Sequence, residues 1–508
     1  MTHTLVVGGG AAGAALAARL SEDPQRQVTL VEAGPAGSTP QELLDGGTLP
    51  AAVPGHPANW AFEAELTPGV PHTVPRGKLL GGSSAINGGY FIRARPADFA
   101  RWAKCGGPAW EYKRALPVLG ALENDLDFAG QPGHGAHGPM QVARPNQTGD
   151  PTAAFLLAAR ELGFPAESDK NAAAAIPGAG PVPSNIIDGV RRNTARAYLE
   201  PVRDRPNLRI LGDTQVLRVR IELGRATGVE TSAGSIPADE VVLCAGSVAT
   251  PQLLMLSGIG PAEHLAQLGI AVVADLPVGE RFSDHPNLTV DWIPSRSLLA
   301  ESERFAFPAA LNFDSSGAAG EHPEGDLEVL LSVKPAGALF TGVSNADPWP
   351  GTDTMQLFVA LQQPRSRGRV SLVSADPLAR PRIEYRYLEE PEDRARMRIG
   401  VRTAANLLRT QAFAALFDRF VSLNEPILAD DARLDAWIRA HLGTAIHLSG
   451  SAPMGPVVDG AGRVRGIEGL WVADTSILPT VPSRGPFNTA VFIGELIARQ
   501  MRDPGATL

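Results

Sequence analysis

The chain has 508 residues, 44% hydrophobic and 19% charged, so it is long enough to need two domains or one domain with a large insertion. Its net charge of −9 and the absence of a long Lys/Arg run argue against nucleic acid as a partner. Two cysteines cannot supply a disulfide framework or a Cys-rich metal site. With no signal-peptide core and no apolar stretch long enough to span a bilayer, the expected location is cytoplasmic, with peripheral membrane contact left open.

The N-terminus reads as strand, glycine turn, helix, strand and acid. Leu5-Val6-Val7 is a short apolar strand, and Gly8, Gly10 and Gly13 occupy the G-x-G-x-x-G positions. Ala11 to Leu20 is rich in Ala and Leu and is predicted helical. Val28-Thr29-Leu30-Val31 is the second strand and Glu32 ends it. The first glycine permits the tight turn, the second lets backbone approach a pyrophosphate, and the third lets helix pack on strand. A helix N-terminus then offers free N–H groups to the phosphates, and Glu32 can accept from ribose hydroxyls. This points to a dinucleotide without separating FAD from NAD.

A second small-residue cluster runs from Arg76 to Gly89 and includes Gly81, Ser84, Asn87 and Gly88. Backbone this bare can lie against a flat ring, and Asn87 offers donors to a polar ring edge. His134 and His137 lie in the loop Gly130 to Pro139, with no acids at ligand spacing, so no metal site is expected. Further on, the apolar strand at 240–245 feeds a third small-residue turn at Gly246-Ser247 and then a helix, repeating the logic of a nucleotide-binding crossover.

Residues 369–373 and 382–385 alternate like half-buried strands, and 393–410 put Met397, Val401, Ala404 and Leu408 on one helical face. His441 shares an amphipathic helix with Leu434, Trp437 and Ile438 and reads as structural. The last block holds His447-Leu448-Ser449-Gly450-Ser451-Ala452-Pro453-Met454-Gly455, then Asp474, then Pro486-Phe487-Asn488-Thr489 and an apolar helix.

Together, these four blocks resemble the glucose–methanol–choline (GMC) oxidoreductase family across essentially the whole chain. The resemblance implies an α/β fold, with a Rossmann-like FAD-binding domain and an α+β substrate-binding domain built on an antiparallel sheet. The FAD-binding domain is expected at 1–150, 190–290 and 445–508, and the substrate domain at 151–189 and 291–444. FAD would meet Gly8, Gly10 and Gly13 at its pyrophosphate and Glu32 at its ribose. Val216 would contact adenine, Gly81, Ser84, Asn87 and Gly88 the isoalloxazine, and Asp474 and Thr489 the ribityl and pyrimidine edge. Some members hold FAD covalently through a histidine before the asparagine of the second cluster. Here that position is Ile86, so FAD is expected to be non-covalent.

The resemblance also assigns chemistry. A neutral imidazole suits removal of a hydroxyl proton, and the family's histidine is matched by His447. Its partner is matched by Asn488, with hydride passing to flavin N5. His285, in Ser283-Asp284-His285-Pro286, is read as structural at the edge of the flavin domain. A finer likeness, in 87–91, 123–128 and 182–190, is to the mycofactocin-associated branch. It would make the substrate reduced mycofactocin and the acceptor a quinone or other respiratory component. The alternatives are a choline- or alcohol-dehydrogenase-like enzyme, with O2 among its acceptors, and a non-redox lyase on the same scaffold.

Overall fold

The computed structural model describes residues 1–145, 149–174, 176–295, 305–317, 320–334 and 354–503. The elements nearest the N-terminal glycines are β1 (Thr2–Val7), α1 (Ala11–Leu20), β2 (Arg26–Val31), β3 (Leu208–Leu211), β4 (Glu240–Leu243), α2 (Gly246–Leu256), β5 (Leu470–Val472) and α3 (Phe487–Arg502). The five strands form a parallel sheet in the order β3-β2-β1-β4-β5. Strand order reverses at β1, between β2 and β4, where α/β sheets open a crevice at the carboxyl ends of their strands. Leu5, Val6, Val28, Leu30, Val241 and Val242 are fully buried, as expected of strands covered on both faces.

A second sheet is antiparallel. Its strands run Phe417–Phe420, Pro286–Pro294, Met355–Leu361, Leu327–Leu331, Ala309–Phe313 and Ala179–Pro181 in spatial order, and Gly443–Thr444 also pairs with Pro286–Pro294. Along Pro286–Pro294, burial alternates strictly, as a sheet with one covered face requires. The helix Pro391–Leu408 covers that face, with Met397, Val401, Ala404 and Leu408 all buried among the sheet's apolar residues. The helical face expected for 393–410 is therefore the packed one. Each sheet has its own apolar core.

Two expected strands lie elsewhere. Arg369–Ser371 and Arg382–Glu384 do form, but they pair with each other and then with Phe62–Thr67 and Val70–Val74 in a separate four-stranded sheet. Alternation identifies a half-buried strand and says nothing of which sheet it joins.

His134 also departs from its reading. Its Nδ1 lies 3.2 Å from Glu123 and 3.1 Å from Asp125, and its Nε2 lies 2.9 Å from Asp169. Burial opposes charge on this ring, but the three carboxylates outweigh it and raise the ring to about 10. Arg144 bridges Asp125 and Asp169, and Arg93 pairs with Glu123, so three cations balance three anions. Although Glu123, Asp125 and His134 are close enough to group around a cation, both ring nitrogens already face carboxylates. The acids stand 9 to 35 residues from His134, and only folding converges them. No membrane-length apolar helix occurs among the described residues.

Helices α1 and α3 touch backbone to backbone, since a Cβ on Gly494 would lie 2.3 Å from the Ala12 carbonyl oxygen. Gly494→Ala is therefore a test of sign. Alanine gains about 1 kcal/mol of helix propensity, but forcing backbone apart costs about 1–3 kcal/mol. We expect a net loss, seen as a lower midpoint in thermal unfolding. A raised midpoint would mean the helices can part freely.

Candidate active site

The crevice at the strand-order reversal opens into a cavity of about 1070 Å³. Its wall includes Gly8, Gly10, Ala11, Ala12 and Glu32 from the N-terminal unit, and Ser84, Ile86, Asn87 and Gly88 from the second cluster. Val216, Cys244, Gly246 and Asp474 line it, as do His447 and residues of the antiparallel sheet.

The glycine turn is built by close approach. Gly8 has φ +100°, and a Cβ there would meet the Cys244 carbonyl oxygen at 2.6 Å. A Cβ on Gly13 would lie 2.0 Å from the Gly8 carbonyl oxygen, so Gly13 lets α1 seat on β1 and stays off the cavity wall. Helix α1 begins at Gly10 with no side-chain cap and no acid in its first turn. Its N-terminus therefore meets the cavity with positive dipole and no competing anion, which fits a pyrophosphate. Glu32 accepts from the Gly9 N–H at 2.8 Å and the Gly34 N–H at 2.9 Å. Burial lifts its carboxyl to about 7, against the pull of those N–H groups.

In the second cluster, Gly81 has φ +88° and stands off the cavity wall, turning the chain toward Gly10. Ser84 donates to the Gly81 carbonyl at 2.6 Å and accepts from the Thr194 N–H at 3.1 Å, so its hydroxyl serves the loop itself. Asn87 spends its carbonyl oxygen on the Gly89 N–H at 3.0 Å, leaving its NH2 to offer at the wall. A Cβ on Gly88 would strike the Phe307 ring at 2.7 Å. Ile86 is buried hydrocarbon. Asp474 accepts from the Gly246 N–H at 2.9 Å and the Thr250 hydroxyl at 2.6 Å, tying the third turn to the last block. Burial raises its carboxyl above the ordinary value.

At the start of α3, Asn488 and Thr489 are buried and stand off the cavity wall, which is formed there by Gly485, Pro486, Phe487 and Ala490. Both amide atoms of Asn488 and the Thr489 hydroxyl lack hydrogen-bond partners. Buried polar atoms are rarely left so, and these sit at an uncapped helix N-terminus beside the cavity. The α1 cradle on the wall fits FAD as the group the cavity holds. Asn488, expected as the partner of His447, is not among the residues that line the cavity with it.

The side chain hydrogen-bonded to His447 is that of His285. Its Nδ1 lies 2.8 Å from Nδ1 of His447, and its Nε2 lies 2.9 Å from the Pro482 carbonyl oxygen. Asp284 accepts the backbone N–H of both histidines, at 2.6 and 2.7 Å. Burial drives His285 down to about 3 and His447 well below the ordinary histidine value, with the Arg76 charge adding to the second. Both rings are therefore neutral at pH 7. The pairing of residues 285 and 447 had no local signal beyond the Asp-His dipeptide itself. His441 also lines the cavity, with Nδ1 2.8 Å from the Trp437 carbonyl, just past the helix Asp431–Ala440.

A further polar group escaped the sequence altogether. Glu328 lines the cavity and accepts from the Tyr90 hydroxyl at 2.6 Å and the Asn312 amide at 2.9 Å. Tyr90 and His447 both lie against Gly485, where an added Cβ would be 2.9 Å from the tyrosine ring and 3.6 Å from the imidazole.

Comparison with known proteins agrees with this architecture. The chain matches the GMC oxidoreductase family over residues 2–287 and again over 364–494. It is 40% identical to a GMC-type oxidoreductase of the thcA 5' region of Rhodococcus erythropolis, covering 97% of this chain and 96% of that one. It is 34% identical to an oxygen-dependent choline dehydrogenase of Rhizobium etli, covering 97% and 94%. Among solved structures, pyridoxine 4-oxidase from Mesorbium loti superposes with a TM-score of 0.90 at 29% identity, over 99% of both chains. The chain belongs to the GMC oxidoreductase family, FAD-dependent enzymes that oxidise CH–OH groups.

Proposed function

We propose that this enzyme oxidises an alcohol, with Nε2 of His447 as the base that takes the hydroxyl proton. The observation that carries this reading is a single cavity walled both by the uncapped α1 N-terminus with Glu32 and by His447. FAD, when bound, supplies the acceptor for the carbon-bound hydrogen at flavin N5. Gly8 and Gly10 would hold its pyrophosphate, with Gly13 seating α1 behind them, while Glu32 would meet its ribose and Val216 its adenine. Gly81, Ser84, Asn87 and Gly88 would shape the bed for the ring, Asp474 would meet the ribityl, and the first turn of α3, which carries Thr489, would lie at the pyrimidine side.

A neutral imidazole on a largely apolar wall can accept a proton without first losing one. Glu328 and Tyr90 add a polar contact close to it, which would orient a substrate bearing a second polar group. We take the substrate to be reduced mycofactocin and the acceptor a quinone or other respiratory component. The support is the branch likeness in residues 87–91, 123–128 and 182–190. The choline dehydrogenase relatives and the pyridoxine 4-oxidase neighbour support the broader reading, a small alcohol with O2 as acceptor.

Anaerobic mixing of the yellow protein with reduced mycofactocin, choline, pyridoxine and simple alcohols should bleach the flavin absorbance with one of them. A protein that stays yellow with all of these yet cleaves a cyanohydrin or a fatty acid would be a lyase or decarboxylase instead.

His447→Ala should retain FAD but slow flavin reduction about 10²–10⁴-fold, the usual worth of a general base. In the parent enzyme, base function is present while His447 is neutral and is lost as pH falls through its lowered pKa. The reduction rate should therefore stay level from neutral pH down past 6.5, the ordinary histidine value, before it drops. A drop that begins above pH 7 would contradict the assignment.

Non-covalent FAD follows from the hydrocarbon side chain of Ile86. Acid precipitation should leave all flavin in the supernatant, and yellow pellets would refute it.

A further inference from the structure

Two imidazoles 2.8 Å apart through their Nδ1 atoms share one proton, so one nitrogen donates and the other accepts. Which is which is decided at the far side of His285. Its Nε2 faces the Pro482 carbonyl oxygen at 2.9 Å, and a carbonyl can only accept. That nitrogen must carry a hydrogen, or two lone pairs would face each other in a fully buried site. A neutral His285 with its hydrogen on Nε2 has a bare Nδ1. The proton between the rings therefore belongs to His447, and Nε2 of His447 is left with its lone pair.

We infer that His285 is a positioning residue that fixes the tautomer of His447, holding the proton on Nδ1 so that Nε2 is the basic atom. This rests on the reading of His447 as the base and adds what makes it one. The device works by hydrogen bonds to neutral partners, so it imposes no charge near the reacting hydroxyl. Backbone contacts hold it in register: the single Oδ1 of Asp284 takes both histidine N–H groups, and Oδ2 accepts from Thr444 at 3.2 Å. The charged groups acting on the pair are Arg76, which donates to the Ile446 carbonyl at 2.7 Å, Asp284 itself and the more distant Arg484. None of these hydrogen-bonds to Nε2 of His447. An alternative in which His285 donates to His447 requires an imidazolium at His285, and burial opposes that charge.

The tautomer can be read directly in the holoenzyme. Protein labelled with 15N-histidine gives long-range 1H–15N correlations that separate protonated from bare ring nitrogens, and loss of one set in His447→Gln assigns His447. The expected spectrum has the hydrogen on Nδ1 of His447 and on Nε2 of His285. A hydrogen on Nε2 of His447 would overturn the inference.

Kinetics give a second readout. His285→Leu removes the acceptor at similar volume and should lower kcat at least tenfold, toward the roughly 10⁴-fold cost of a wrong imidazole tautomer in a hydrolytic triad. KM should move by less than about threefold, because the lost interaction is not one that binds substrate. His285→Gln keeps one acceptor and one donor and should regain most of the rate. An undiminished kcat in His285→Leu, or equal losses in both variants, would make His285 a packing residue and overturn the inference. If His447→Ala kept full flavin reduction, the base reading would fail, while the ring-proton assignment would still stand or fall on the nitrogen shifts.

Discussion

The structure depends on backbone meeting backbone around Gly10. Three stretches far apart in the chain converge there with no side chain between them. Gly8 lies against the Cys244 carbonyl, Gly13 against Gly8, and Gly82 so near Gly10 that an added Cβ would sit 2.7 Å from its Cα. Gly77 in turn would collide with the Gly82 carbonyl at 2.2 Å. This packing brings the first turn of α1, the second cluster and the end of β4 to one point. The cavity opens there because the strand order reverses beside β1, leaving the carboxyl ends uncovered.

The same economy explains where polar groups are spent. Glu32, Ser84 and Asp474 each serve the loops first. Their oxygens take backbone N–H groups of Gly9, Gly34, Thr194, Gly246 and Ser476. A loop forced tight by glycine exposes such groups, and burying them unpaired would cost about 1–3 kcal/mol each. Asn488 and Thr489 do the opposite, with polar atoms left unpaired in a buried place.

The N-terminal unit was legible because strand, turn, helix, strand and acid are local events. β1, α1 and β2 follow the residues that announced them, and Met397, Val401, Ala404 and Leu408 are buried as their 3.6-residue spacing implies. What failed was long-range. The strands at 369–371 and 382–384 alternate correctly yet join Phe62–Thr67, some 300 residues earlier. His134 gathers three acids that no local spacing places together. Glu328, Tyr90 and Asn312 meet only because two strands of the antiparallel sheet and one loop share a wall.

The partner of His447 shows the same limit at the reacting centre. The family resemblance pointed to Asn488, about forty residues beyond His447 and just before a threonine. The first turn of a helix, however, distributes its side chains around the axis, so that Phe487 and Ala490 reach the cavity wall while Asn488 does not. His285 reaches His447 by another route. Strand Pro286–Pro294 pairs with Gly443–Thr444, which fixes residues 284–285 beside 445–447, and the Asp284 carboxylate closes the gap. One antiparallel ladder in the second sheet therefore sets the geometry of two imidazoles at the cavity. The placement of these two imidazoles is a property of the join between the two sheets, which is why neither half, read alone, announces it.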